Sequence, residues 1–244
     1  MSGHSHFKSI KHQKDIADAK KGKIFSKMAR VITIAAKEKG GDPEANAKLK
    51  IAVEQAKSFN MPRENIDRAI QKGTGELAGE NLEEVVFEAY GPGGIAIIIE
   101  GIVDNKNRAL GDVKQILNQQ NGKLAGEGSV RWMFDRKGVI TIDFKSQVSS
   151  LKNKENIELE AIEAGAEDIY WDNDILDIYT KVENLETAKK TLEGKGLKID
   201  SVKPAWIAKE TVEINEKEKE SCQKLFEALD ENDTVQDIYS NLRA

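Results

Sequence analysis

One cysteine, few aromatic residues and no long apolar run bound this 244-residue chain before any motif is considered. Cys222 alone cannot close an internal disulfide, and it rules out a zinc site built on cysteine pairs, so a reducing compartment fits. No stretch approaches the roughly 20 apolar residues that a bilayer-spanning helix needs. The N-terminus shows neither the apolar centre of a secretion signal nor an Arg- and Ser-rich leader. The expected location is cytoplasmic, with no membrane partner. All three histidines, His4, His6 and His12, stand at the N-terminus, so no Cys-His or Ser-His-Asp constellation is suggested. No catalytic residue, metal ligand or cofactor is assigned.

What the chain does have is charge, unevenly spread. Residues 1–80 hold 16 Lys and Arg against 10 Asp and Glu, a balance of +6, whereas residues 81–244 hold 21 against 32, a balance of -11. A basic module joined to acidic ones is drawn to a polyanion and oriented on it. The acidic part reads as a solubilising surface, or as a face for a protein partner. The most basic stretch runs from Gly3 to Arg30. It carries Lys8, Lys11, Lys14, Lys20, Lys21, Lys23, Lys27 and Arg30 against only Asp15 and Asp18. Its first part has no apolar period and reads as an arm; from Lys20 onward it becomes the polar side of a helix.

That helix is marked by Ile24, Phe25, Met28, Val31, Ile32, Ala35 and Ala36 at helical spacing, with Gly40-Gly41 as its stop. On a helical wheel Lys20, Lys23, Lys27, Arg30 and Lys37 fall on a stripe away from the apolar face, expected to point outward. Asp42-Pro43 reads as the cap and first turn of a second helix carrying Ala45, Leu49, Ala52, Val53 and Ala56. A third starts at Pro62, turns Ile66, Ala69 and Ile70 inward and Arg63, Arg68 and Lys72 outward, and ends at Gly73-Thr74-Gly75. Three helices with short links make a bundle. A helix-turn-helix reading would set Arg63, Asn65, Arg68 and Gln71 against base edges. Glu64 and Asp67 interrupt that face, so phosphate contact is preferred.

After Gly79 the period becomes that of strands: Val85 to Tyr90, a Gly91-Pro92-Gly93-Gly94 hairpin turn, then Ile95 to Val103. An amphipathic helix capped by Asn107 follows, and then a strand in which Val130, Trp132 and Phe134 alternate. That register places Trp132 in a core rather than on a stacking surface. Between Lys137 and Pro204 the pattern is strand, helix, strand, strand, helix, strand, the order of a ferredoxin-like unit, on balance acidic and lacking the basic-aromatic signature of an RNA-recognition sheet. A strand around Trp206 to Ile214, a helix with Cys222, Leu225, Phe226 and Leu229 inward, and a strand from Val235 to Tyr239 complete the earlier ββαβ unit. Cys222 on that stripe reads as inert packing, and Asp172, Asp174 and Asp177 read as a solvated turn rather than an ion site. The expected fold is α+β: an N-terminal three-helix bundle followed by two α/β domains, the second ferredoxin-like and inserted in the first. The expected boundaries are 1–79, 80–135 plus 205–244, and 136–204.

The chain resembles the YebC/PmpR family over essentially its whole length. The resemblance rests on Gly3-His4-Ser5, Ile10-Lys11-His12, Asp18 to Phe25, Gly41-Asp42-Pro43, Asn60-Met61-Pro62, Lys72-Gly73-Thr74-Gly75, Tyr90 to Gly94, Asp104-Asn105 with Asn107-Arg108, and Gly128-Ser129-Val130 with Trp132-Met133-Phe134. Phe7, Ala109 and Ala125 depart from the residues common there. The resemblance implies a three-domain, non-enzymatic cytoplasmic protein, described for family members as a transcriptional regulator or as a ribosome-associated translation factor. The expected partner is nucleic acid, either ribosomal RNA on the ribosome, supporting elongation where peptide-bond formation is slow, or promoter DNA. An adaptor that meets only acidic proteins is the third alternative. The expected contact residues are His4, Ser5, Lys8, Lys11, His12, Lys14, Lys20, Lys21, Lys23, Lys27, Arg30, Arg63, Asn65, Arg68 and Lys72.

Overall fold

Apolar residues at three- and four-residue spacing build the first helix, α1 (Asp18–Lys39), in a computed structural model that describes residues 18–144 and 154–243. Gly40, at φ 89°, ends it in the left-handed region that a residue with a Cβ avoids. Helix α2 (Ala47–Ser58) starts later than Asp42-Pro43 suggests. Its cap is the buried Asn46, whose Oδ1 accepts from the Leu49 N–H at 3.1 Å. The Asn46 amide donates to the carbonyls of Ala35 (2.8 Å) and Gly40 (2.9 Å), tying the end of α1 to the start of α2. Asp42 instead closes a local turn by accepting from Glu44 N–H. Helix α3 (Arg63–Thr74) ends at Gly75, in the left-handed conformation. The bundle core gathers Ile32, Ala36, Leu49, Ala56, Met61, Ile66 and Ala69. Each fully buried Ile, Leu or Met side chain there contributes on the order of 1.5–3 kcal/mol.

The chain divides into two compact units. Residues 133–211 form one; the other comprises the described chain before and after it, bundle included. In that larger unit β1 (Glu83–Tyr90), β2 (Ala96–Val103), β3 (Lys123–Leu124) and β8 (Val235–Ser240) form an antiparallel sheet in the order β3-β1-β2-β8. The β1–β2 turn is the expected hairpin, with Gly93 and Gly94 both at positive φ. Helices α4 (Lys106–Gln119) and α7 (Glu216–Asp230) cover one face through Val113, Leu117, Cys222, Leu225 and Phe226. The cap of α4 is Asn105, not Asn107: its side chain accepts from the N–H groups of Asn107 and Arg108. Ile102, from the other face, joins Val31, Ile34 and Leu82, so the bundle and this sheet share a small apolar joint.

The smaller unit is β4 (Phe134–Asp143), α5 (Lys154–Glu163), β5 (Asp168–Asp172), β6 (Ile175–Thr180), α6 (Leu185–Gly194) and β7 (Ser201–Ala208). Its sheet order, β5-β6-β4-β7, is that of a ferredoxin-like fold. Two strand expectations are corrected here. The segment around Trp206 continues β7 beside β4 as far as Ala208, and only Val212 of the following stretch makes a bridge, with Leu242. Residues Arg131–Met133 form a short 3-10 turn rather than a strand, so alternation does not govern Trp132, which is 65% exposed.

Candidate nucleic-acid interface

The middle of the basic stripe of α1, from Lys23 to Arg30, does not face solvent as the helical wheel suggests, whereas Lys37 is exposed. Lys27 is only 6% exposed, and its ammonium donates to both the backbone carbonyl and the carboxylate of Asp230, each at 2.8 Å. Asp230 is the last residue of α7, so the cation sits at the negative end of that helix. Lys23 reaches Glu231 at 3.4 Å. Arg30 donates to the Ile102 carbonyl at 3.2 Å, and Lys37 to Asn81 at 2.6 Å and to the Leu82 carbonyl at 3.1 Å. One α1 face therefore holds the bundle against the sheet within a single unit. For Lys27 the outward placement is corrected, and Lys23 and Arg30 are half-buried beside it. The physical reason is that a wheel separates polar from apolar but does not say what the polar side meets. Lys48 adds a further tie. Burial opposes its charge, yet hydrogen bonds to Glu38 and Glu84 outweigh that and hold its pKa above the ordinary lysine value.

Helix α3 presents a different surface. Arg63, Arg68 and Lys72 are exposed, while Asn65 is half-buried. Arg63 lies 3.6 Å from Asp67 and Arg68 lies 2.8 Å from Glu64, both four residues away on the same helix. Such exposed pairs hold weakly and give way to a phosphate. Lys21, near the start of α1, is exposed. His4, Ser5, Lys8, Lys11, His12 and Lys14 lie outside the described residues, as does the side chain of Lys20, whose backbone is helical.

Two residues stand out, Glu88, which sequence reasoning passed over, and Trp132, which it placed in a core. Glu88, in the middle of β1, is 3% exposed and accepts from the N–H groups of Gly128 (2.8 Å), Val130 (2.8 Å) and Arg131 (3.0 Å). Burial alone would raise its pKa, but these three N–H groups, with Arg131 beside them, hold it below the ordinary glutamate value. The loop it anchors displays Trp132, whose indole N–H donates to the Ser129 carbonyl at 3.0 Å. The available signal was one acid, Glu88, inside the apolar run Val85 to Ala89.

Chemistry of other kinds has less to work with. Cys222 is buried, and burial with nearby Glu218 pushes its thiol up to about 11, far from a nucleophile's range. Asp177 is buried and accepts from the Thr141 hydroxyl at 2.5 Å. Among the described residues no group of His, Cys, Asp or Glu is arranged to hold a metal ion, and no helix is long and apolar enough to cross a membrane.

Comparisons with known proteins cover the same ground. A family model described as TACO1/YebC protein N-terminal domain matches residues 5–76, and one described as TACO1/YebC second and third domain matches residues 82–242. A probable transcriptional regulatory protein of Caldanaerobacter subterraneus subsp. tengcongensis is 46% identical over 242 residues, covering 99% of this chain and 98% of that protein. One from Thermoanaerobacter pseudethanolicus is 44% identical, covering 99% and 97%. The crystal structure of a conserved hypothetical protein from Aquifex aeolicus matches with a TM-score of 0.89 at 41% identity, over 98% of this chain and 97% of that one. With both its helical and its sheet-bearing parts matched, and relatives aligned end to end, the chain belongs to the TACO1/YebC family, the YebC/PmpR family of the motif resemblance.

Proposed function

We propose that this chain is a non-enzymatic, nucleic-acid-binding regulatory factor that works on the ribosome, contacting ribosomal RNA to support elongation through difficult, proline-rich sequences. The observation that carries the reading is the charge division, +6 over residues 1–80 against -11 over the rest. Part of the basic charge, on Lys27 and its α1 neighbours, is committed to holding the unit together. The contact surface is therefore the N-terminal segment from His4 to Lys21 together with Arg63, Arg68 and Lys72 of α3. The half-buried Asn65 supports that face from its edge.

RNA is preferred because the arginines of α3 alternate with acids they already pair with. Pressed into a major groove, Glu64 and Asp67 would face phosphates; following the outside of a folded RNA, the arginines exchange one anion for another. A second reading, promoter DNA, is favoured by the relatives' printed description as probable transcriptional regulatory proteins. The test is sedimentation of the tagged protein from gently lysed growing cells, with and without nuclease, followed by sequencing of the crosslinked nucleic acid. Co-migration with ribosomes and crosslinks in large-subunit ribosomal RNA are expected. Crosslinks confined to a few promoters would establish the second reading instead.

A further inference from the structure

Three tryptophans are treated in two ways by this fold. Trp171 lies under the Lys154 ammonium, 4.4 Å from the ring centroid, and Trp206 lies under the Arg136 guanidinium at 5.1 Å. Trp132 is different: it is 65% exposed, yet it is not loose. Its indole N–H is bonded to the Ser129 carbonyl, which also accepts from the Tyr90 hydroxyl at 3.3 Å. The loop that carries it is fastened to β1 by three backbone N–H groups converging on the buried Glu88 carboxylate. A buried charge costs several kcal/mol unless it is fully bonded, so a loop held this way has a set geometry. The fold thus holds a large aromatic ring rigidly and leaves its surface to solvent.

The surroundings indicate what the ring meets. Tyr90 is directly opposite Lys123 in the β1–β3 ladder, so the exposed Lys123 emerges on the same face as the tyrosine that shares the Ser129 carbonyl. Arg131, ion-paired with Glu88, precedes Trp132, and Glu127 is the one exposed acid of this loop. No other large exposed apolar side chain lies between Asn121 and Trp132. Protein-binding tryptophans sit inside a wider apolar patch that excludes water; an edge-locked indole that is the one large exposed apolar side chain of its loop, in a segment that also carries Lys123 and Arg131, matches the stacking platforms that take single bases.

We propose that Trp132 stacks an unpaired nucleobase, with Lys123 beside it for an adjacent phosphate, which places a base-contacting site on the sheet-bearing part of the larger unit. This rests on the nucleic-acid reading above and adds a second contact to it. The experiment uses the full chain labelled with 5-fluorotryptophan, the Trp132 resonance being identified as the one lost in Trp132→Phe. A short single-stranded oligoadenylate and its abasic counterpart of equal length are titrated in, while anisotropy of the end-labelled strand reports binding. The expected result is that oligoadenylate moves the Trp132 resonance and the abasic strand does not. Trp132→Ala should weaken oligoadenylate binding about tenfold with an unchanged salt slope, and Trp132→Tyr should restore most of it. Oligoadenylate that binds while the Trp132 resonance stays put and Trp132→Ala binds as tightly would overturn the stacking site and leave the proposed function standing. Absence of any oligoadenylate binding by anisotropy would overturn the stacking site, the ribosomal-RNA reading being decided separately by the crosslinks.

Discussion

Glu88 shows how much one side chain can decide. Its carboxylate takes three backbone donors from a loop and the first residue of the 3-10 turn that follows it, so the glutamate does for residues 128–131 what a strand partner does elsewhere. Replacing it with glutamine keeps the size but offers one acceptor oxygen and an amide that faces other donors. Glu88→Gln should cost about 2–3 kcal/mol, read as a lower urea midpoint with unchanged slope. The pH dependence has a definite sign. The folded-state pKa is depressed, so the stabilisation is fully present above the unfolded value of about 4.3 and is lost as pH falls through the lower folded value. Urea midpoints measured through the acid range should therefore fall more steeply for the parent chain than for Glu88→Gln. Parallel curves would remove Glu88 as the anchor.

Among the elements, the crossing of α1 and α3 is the tightest constraint. A Cβ placed on Gly73 would meet the Ala36 Cβ at 2.7 Å and press on the Thr33 backbone carbonyl, which has no room to retreat. The Thr33 hydroxyl, bonded to the Ala69 carbonyl at 3.0 Å, fixes the same crossing. Overpacking against backbone costs about 1–3 kcal/mol and exceeds the helix propensity gained, so Gly73→Ala should destabilise. In α4, Gly111 has open space around its Cβ position, and there the same change should stabilise by about 0.5–1 kcal/mol. Thermal unfolding of the two variants side by side checks the opposite signs. The bundle helices and most of the βαββαβ unit were legible because their apolar residues recur at helical or strand spacing; α5, which leaves Leu159 and Ile162 exposed, was legible only from its place between two strands. The true caps were not, because Asn46 is defined by carbonyls at the end of another helix and Asn105 competed with an equally plausible Asn107. The strand expected across Trp132 failed for a related reason. Three residues of alternation arise by chance, and the acid that ends the pattern lies some forty residues earlier in sequence.

Across the whole molecule, charge does two jobs that the sequence alone does not separate. The arm and α1 form one basic run, but the fold draws Lys27, Arg30 and Lys37 into contacts with α7, β2 and the link before β1. From composition both parts read as one phosphate-binding surface, since a lysine facing a helix C-terminus and a lysine facing a phosphate have the same sequence signature. Their consequences differ, because a bound phosphate releases counterions and a buried internal pair does not. The most direct measurement is therefore the salt dependence of affinity for a short single-stranded RNA. It compares the parent chain, a variant with Lys8, Lys11, Lys14 and Lys20 changed to alanine, and Lys27→Met, each checked for folding by circular dichroism. The account predicts a weaker, flatter response in the arm variant, by up to about 0.7 in slope for each cation that contacts a phosphate, and the parent slope in Lys27→Met. An arm variant that binds with the parent's affinity and slope would contradict it.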